Sequence, residues 1–484
     1  MKRQKNYSTS FFLSLMFVVL VTTQNHAQKM WTLTDCLDYA TEHNLRIEAA
    51  QVTKSNGKLQ RQEAHQARYP DLSAGTGFSY NFGRNIDPTT NDFVPQNAGF
   101  NWLNLSTNIL VYNGGLLRQQ YQQALLTEKA NDASIEQEIQ DVHLEITLAY
   151  LTILFETERR RNSVEQRSLA QNQLDRVQQL IQVEQSPEAD QYEWIAQVAQ
   201  GEQQILANEN AIEVATYQLR NLLNIDPEDD FQMDVSAIDA EDVQEQEDYS
   251  FAETYASILR VRPEVASFEL TEQAAEKGIA IARASYLPSL SFGAELSTSY
   301  STLANTFDDF GVRRVPTEGV FINNEAVIYE REQLVPDKSF RTPYGTQLEQ
   351  NLGVGLGVRL NIPIYSRGLK KINMQRAENN LLLARNANQQ SLKGLELQTQ
   401  QVLADLRTAH RQYTAGLRQV EFLQNAYDNM EKRYELGMSN SYDLLDAQNR
   451  LSQGNNQLTI AKYDLLFRNK ILDFYLGEEL SGDF

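Results

Sequence analysis

Asp443 and Asp446 stand three residues apart in Tyr442-Asp443-Leu444-Leu445-Asp446-Ala447, so on a helix they share one face. Paired carboxylates of this kind attract cations, and a symmetric assembly would gather them around its axis. On an isolated solvated helix the same pair would mean little. The remaining chemistry-bearing residues do not form a constellation. There is one cysteine, Cys36, so neither a disulfide framework nor a cysteine zinc site is available. The histidines (His26, His43, His65, His143 and His410) are scattered, with no pair at a metal-ligand spacing. Gly353-Val354-Gly355-Leu356-Gly357 resembles a phosphate loop only superficially: it lies inside an alternating strand and lacks the helix start that must follow. No nucleophile, base and donor come together, so neither an enzyme, a cofactor nor a bound metal is expected. The net charge of −21 excludes nucleic acid as a partner, because phosphate neutralisation needs clustered Lys and Arg.

The elements that must position Asp443 and Asp446 are very long helices. Leu444, Leu451, Leu458, Leu465 and Leu472 recur every seven residues along the helix carrying the aspartates. The helix before it has a seam of Leu406, Ala409, Tyr413, Gly416, Val420, Leu423, Tyr427, Met430 and Tyr434, with steps of three and four. From Gly115 to Val183 there is no proline and no further glycine; such a segment spans roughly 100 Å as a helix. Helices are expected over about 115–183, 188–224, 367–436 and 440–477. Glu184-Gln185-Ser186-Pro187 and Gly437-Met438-Ser439 are the turns between them.

The chain repeats itself. Ala67-Arg68-Tyr69-Pro70-Asp71-Leu72 matches Ser285-Tyr286-Leu287-Pro288-Ser289-Leu290 at an offset of 218. Tyr112-Asn113-Gly114-Gly115-Leu116 matches Tyr365-Ser366-Arg367-Gly368-Leu369 at 253, and that offset carries Asp190 onto Asp443 and Gly201 onto Gly454. Two copies of one unit are therefore expected, over 28–225 and 251–484. An acidic connector, 226–250, joins them and is expected to be solvated and loosely ordered. Each copy reads as a helix, two strands and two long helices.

The strands show a period of two. Over 71–82, Leu72, Ala74, Phe78 and Tyr80 alternate with Ser73, Gly75, Gly77 and Ser79. Similar alternation marks 101–112, 289–301 and 350–364. The lengths suit a tilted crossing of a bilayer, with an apolar face outward and a small or polar face inward. Four strands cannot close a barrel, and open edges in lipid are costly, so other copies of the chain must complete it. The stretch 302–347 is an insertion in the second copy, expected to be an outer surface loop with a short hairpin near Val320-Phe321-Ile322-Asn323-Asn324. Residues 1–27, with Lys2, Arg3 and Lys5 before the apolar run Phe11–Val21, read as a secretory signal peptide.

These features resemble the TolC family of outer-membrane efflux proteins. The resemblance rests on Trp31-Thr32-Leu33-Thr34-Asp35-Cys36-Leu37-Asp38-Tyr39-Ala40 with Asn44-Leu45, on Arg262-Pro263-Glu264, on Ile362-Pro363-Ile364-Tyr365, and on Tyr434-Glu435-Leu436-Gly437 followed by Tyr442–Ala447. It implies an α+β membrane channel: a homotrimer with a twelve-stranded β-barrel in the outer membrane of a Gram-negative bacterium and a helical tunnel in the periplasm. It implies a passive exit duct of a tripartite efflux pump or type I secretion system, with a periplasmic adaptor, an inner-membrane transporter and outer-membrane lipid as partners. Asp443 and Asp446 correspond to the rings that constrict the periplasmic aperture. Asp190 and Tyr434 correspond to an acid–tyrosine gate lock, whose arginine is replaced here by Ser439. The tips Glu184, Gln185, Ser186, Gly437, Met438 and Ser439 are expected to dock the adaptor. The rival expectation is a structural or adhesive outer-membrane trimer without transport, which would not conduct ions.

Overall fold

The computed structural model describes residues 30–87, 91–235, 249–322 and 325–478. The signal-peptide reading of 1–27 lies outside them. In chain order the elements are β1 (Met30–Trp31), α1 (Leu33–His43), α2 (Leu45–Gln66), β2 (Asp71–Asn81), β3 (Asn85–Ile86), β4 (Phe93–Val94), β5 (Ala98–Tyr112), α3 (Leu116–Gln182), α4 (Ala189–Leu223) and β6 (Gln232–Met233). There follow α5 (Phe251–Val261), α6 (Pro263–Ala284), β7 (Ser289–Ser301), β8 (Asn305–Ile322), β9 (Glu325–Arg341), α7 (Tyr344–Gln350), β10 (Gly353–Asn361), α8 (Leu369–Glu435) and α9 (Ser441–Leu476). The backbone divides into two compact units, 1–55 with 130–268 and 387–484, and 56–129 with 269–386.

The first unit is helical. Thr32 opens α1 with a capping box, its hydroxyl accepting from the Asp35 amide while the Asp35 carboxylate accepts from the Thr32 amide. This fixes the apolar face of α1, Leu33, Cys36, Leu37 and Ala40, against Val142, Ile146 and Tyr150 of α3 and Leu219 and Leu223 of α4. Cys36 is fully buried in that core and behaves as a small hydrophobe.

Two buried polar residues mark equivalent helix breaks. Asn44, between α1 and α2, donates to the Leu222 carbonyl at 2.7 Å and accepts from the Arg46 and Ile47 amides. Arg262, 218 residues later and between α5 and α6, pairs with Glu264 at 2.5 Å and Asp141 at 3.5 Å and lies 4.3 Å over the Phe474 ring. A buried charge is tolerable only when paired and hydrogen-bonded in this way. Pro263 follows at the first position of α6, where its missing amide costs nothing.

The acidic connector is not loose at its start. Trp31 packs against Phe231 with the rings tilted and their centroids 5.4 Å apart, β1 pairs in parallel with β6, and the Tyr150 hydroxyl donates to the Asp234 carbonyl at 2.7 Å. The apolar residues among the acids, Phe231 and Met233, supply this anchorage. Residues 236–248 of the connector lie outside the described residues.

The second unit contains an antiparallel sheet in the order β10-β7-β5-β2. Its register aligns Ala74, Leu105, Leu296 and Val354 across four strands on one face. It aligns Ser73, Ser106, Glu295 and Gly355 on the other. Both outer strands leave backbone groups free to pair, and Val354, Leu356 and Val358 on β10 are 70–74 % exposed.

Two expectations for this unit are corrected. The stretch from 302 to 347 is not a loop with a short hairpin: β8 and β9 pair from Asn305↔Arg341 to Ile322↔Glu325, with a register shift between Thr317 and Val320. Pro316 and Pro336 do not prevent this, because in a two-stranded ribbon each strand has a free edge. The fourth strand does not begin at 350, where α7 is still helical. Gln347 there takes the place of a strand neighbour, its amide oxygen accepting from the Ser301 amide at 2.9 Å and its nitrogen donating to the Ser301 carbonyl at 3.0 Å.

Candidate functional site

The residues expected to carry function converge at the far ends of the long helices in the first unit. Ala170, Leu174 and Val177 of α3, Trp194 of α4, Tyr427 of α8, and Leu444 and Leu451 of α9 form one buried cluster. Tyr434 and Met430 pack on its edge. This places Asp190, Tyr434, Asp443 and Asp446 on helices that share a core, so their relative positions are set by apolar packing.

The two tips close in the same way. In the first, the Glu184 amide bonds to the Ile181 carbonyl and the Gln185 amide to the Leu180 carbonyl at 2.8 Å. In the second, the Gly437 amide bonds to the Tyr434 carbonyl and the Met438 amide to the Arg433 carbonyl at 2.8 Å. Both are Schellman closures, which need a left-handed residue just past the helix. Gly437 takes it with φ of 69° and Glu184 with φ of 57°. The departure at Glu184 is therefore one of strain rather than of geometry.

The serines repeat too. Ser186 donates to the Asp190 carboxylate at 2.8 Å, and Ser439, 253 residues later, donates to the Asp443 carboxylate at 3.1 Å. The Asn440 side chain caps α9 by accepting from the Asp443 amide at 2.8 Å. Ser439 is thus an orienting contact for Asp443.

The expected hydrogen bond from Tyr434 to Asp190 is not formed; among the described residues Asp190 accepts from Ser186. The Tyr434 ring instead lies beneath Arg176 of α3, whose guanidinium is 5.7 Å from the ring centroid and 3.5 Å from the Glu435 carboxylate. Burial pushes the Tyr434 hydroxyl above its ordinary pKa, with Arg176 acting against that and Asp190 adding to it. Asp190 is therefore near enough to be felt while not being bonded. Arg176 was not legible as a partner because nothing in its own helix pattern places it opposite Tyr434.

Asp443 and Asp446 are both exposed on α9. Asp446 is ion-paired with Arg450 one turn along the helix, at 2.9 Å. The spacing of four residues could have revealed this pair from sequence. It lowers the net negative charge that the two carboxylates present. Among the described residues no group of His, Cys, Asp and Glu is arranged to hold a metal ion, and no helix is long and apolar enough to cross a membrane.

Residues 254–478 match the family model described as outer membrane efflux protein. Over that segment the chain is similar to the outer membrane efflux protein family. Solved outer-membrane efflux proteins share its fold over nearly its whole length. The channel MtrE of Neisseria gonorrhoeae superposes with a TM-score of 0.72 at 16 % identity, covering 93 % of this chain and 90 % of that one. The channel CmeC of Campylobacter jejuni gives 0.70 at 17 %, covering 93 % and 86 %. The channel OprN gives 0.72 at 16 %, covering 92 % and 90 %. No curated protein sequence matches the chain. The fold of this chain is therefore the one these solved channels share.

Proposed function

We propose that this protein is the outer-membrane exit duct of a tripartite efflux pump or type I secretion system. The observation that carries this reading is the four-stranded sheet with one continuous apolar face, one Gly- and Ser-rich face and two open edges. An open edge in hydrocarbon leaves every backbone group along it unpaired, at several kcal/mol each. Pairing β10 of one copy with β2 of the next removes both edges. Three copies supply twelve strands and leave a passage, whereas two would supply eight and fill it with side chains.

In this reading the apolar face meets outer-membrane lipid and the helices extend into the periplasm of a Gram-negative cell. Asp443 and Asp446 line the periplasmic aperture. Glu184, Gln185, Ser186, Gly437, Met438 and Ser439 form the tips that meet a periplasmic adaptor, which couples the duct to an inner-membrane transporter. Asp190 and Tyr434 belong to the closing machinery, with Arg176 as the cation that holds Tyr434.

The test is the mass of the detergent-solubilised complex together with conductance in a planar bilayer. A trimer with stable, cation-preferring conductance is expected. A membrane-inserted monomer overturns the assembly, and a trimer without conductance favours the structural or adhesive alternative.

A further inference from the structure

The four strand ends that meet the helices carry a repeated chemistry. Each has an exposed tyrosine: Tyr69 before β2, Tyr112 closing β5, Tyr286 before β7 and Tyr365 after β10, at 62, 51, 45 and 84 % exposure. The register puts these ends side by side, with Asn361 opposite Ser289, Leu290 opposite Tyr112 and Asn108 opposite Asp71. Tyrosines gather at the level where hydrocarbon gives way to headgroups, since the ring is apolar and the hydroxyl is wet.

Just beyond the tyrosines the charge reverses. The chain as a whole has 64 acidic and 43 basic residues. Yet segments 61–71, 110–121, 278–290 and 362–376 contain eight Lys and Arg against only Glu63 and Asp71. Asp71 is occupied, accepting from the Asn108 amide at 2.7 Å. Arg68 and Lys370 rest on aromatic rings, 4.7 Å over Tyr121 and 5.3 Å over Tyr286. Among the described residues Arg118, Arg283, Arg367, Lys371 and Arg376 are exposed and have no carboxylate partner. In a strongly acidic protein, a local excess of exposed cations at one level points to an anionic partner at that level. Two of the long helices, α3 and α8, also begin here, and their first-turn amides favour anions.

We propose that this collar binds the headgroups of anionic phospholipids in the membrane leaflet nearer the helices. Long cationic side chains reach from the helix starts to the phosphates while the tyrosines mark the depth of the hydrocarbon boundary. The collar fixes how deep the sheet sits and which way it faces. The inference rests on the reading of the sheet as membrane-spanning, and its test separates the two.

Full-length protein in detergent is titrated with phosphatidylglycerol and with phosphatidylcholine, and bound lipid is counted by native mass spectrometry. Phosphatidylglycerol is retained about tenfold better, the discrimination that one or two engaged cations supply. The combined variant Arg118→Gln, Arg283→Gln, Arg367→Gln and Lys371→Gln loses most of that preference. The charge-keeping variant Arg118→Lys, Arg283→Lys, Arg367→Lys and Lys371→Arg retains it, as does Arg314→Gln with Arg331→Gln in the distant hairpin. Equal retention of both lipids by the unaltered protein overturns the collar, as does an undiminished preference in the glutamine variant. Displacement of phosphatidylglycerol by inorganic phosphate also overturns it, revealing a site for free anions. Conductance of the unaltered protein is measured alongside. A conducting protein without lipid preference sinks the collar alone; a lipid-selective protein without conductance sinks the exit-duct reading alone.

Discussion

Arg450 sits 2.9 Å from Asp446, one helical turn away on the same face of α9, so one of the two carboxylates proposed to line the aperture has a counter-charge in its own chain. Among the described residues the Asp443 carboxylate has no such counter-charge and accepts from the Ser439 hydroxyl. The two aspartates should therefore contribute unequally to cation binding. Asp443→Asn should weaken block by multivalent cations added from the helical side more than Asp446→Asn does. Arg450→Gln should strengthen block about twofold, the size expected when an exposed ion pair is removed. The double replacement Asp443→Asn with Asp446→Asn should abolish it. Full block surviving in the double variant would show that these residues do not form the constriction.

Tyr434 is held by its ring rather than by its hydroxyl. Arg176 covers that ring and reaches Glu435, tying α3 to the end of α8. Tyr434→Phe should leave resting conductance close to that of the unaltered protein, whereas Tyr434→Ala and Arg176→Gln should both raise it. Conductance that rises with phenylalanine alone would mean that the closed state uses a hydroxyl bond to Asp190 after all.

Glu184 occupies a left-handed turn that glycine occupies in the second repeat. Glu184→Gly should stabilise the first tip by about 0.5–1 kcal/mol, and Gly437→Ala should cost about as much. Differential scanning of the detergent-solubilised protein reads both. A Glu184→Gly variant that melts earlier would contradict the equivalence of the tips. Bulk at the same turn tests docking: Gly437→Trp should abolish efflux that depends on a co-expressed adaptor while leaving assembly intact.

Three tyrosines of the helical unit titrate late. Burial pushes Tyr150, Tyr427 and Tyr463 up to about 12, above the value of 10 that an exposed tyrosine has. Below pH 10 they are protonated in both folded and unfolded chains, so they add no pH dependence. Between about 10 and 12 the unfolded chain releases protons that the folded chain keeps, and stability falls as pH rises through that window. Thermal unfolding followed across alkaline pH should show the decline, and Tyr463→Phe should reduce its slope. A stability independent of pH above 10 would contradict the burial of these hydroxyls.

The β8–β9 hairpin lies between the ends of β7 and β10 opposite to those that adjoin α6 and α8, so it should lie on the cell exterior. A tag inserted at Thr317 should react on intact cells with a reagent that does not cross the outer membrane. Labelling that needs permeabilised cells would reverse the orientation.

The sequence alone determined the long helices and the four strands of the sheet. Period-two alternation marks the strands because one sheet face is apolar, and seven-residue spacing marks the long helices because their seams are buried. The repeat offsets of 218 and 253 place Pro70 on Pro288 and Asp190 on Asp443. What only tertiary structure decided is who meets whom. Gln347 substitutes for a strand because it lands beside Ser301, 46 residues earlier. Arg176 reaches Glu435 across 259 residues, and Phe231 turns an acidic stretch into a packed edge through Trp31. Periodicity reports which face of an element is buried, but not which partner buries it. That choice depends on long-range packing, where the same apolar stripe could satisfy several neighbours and only the folded chain selects one.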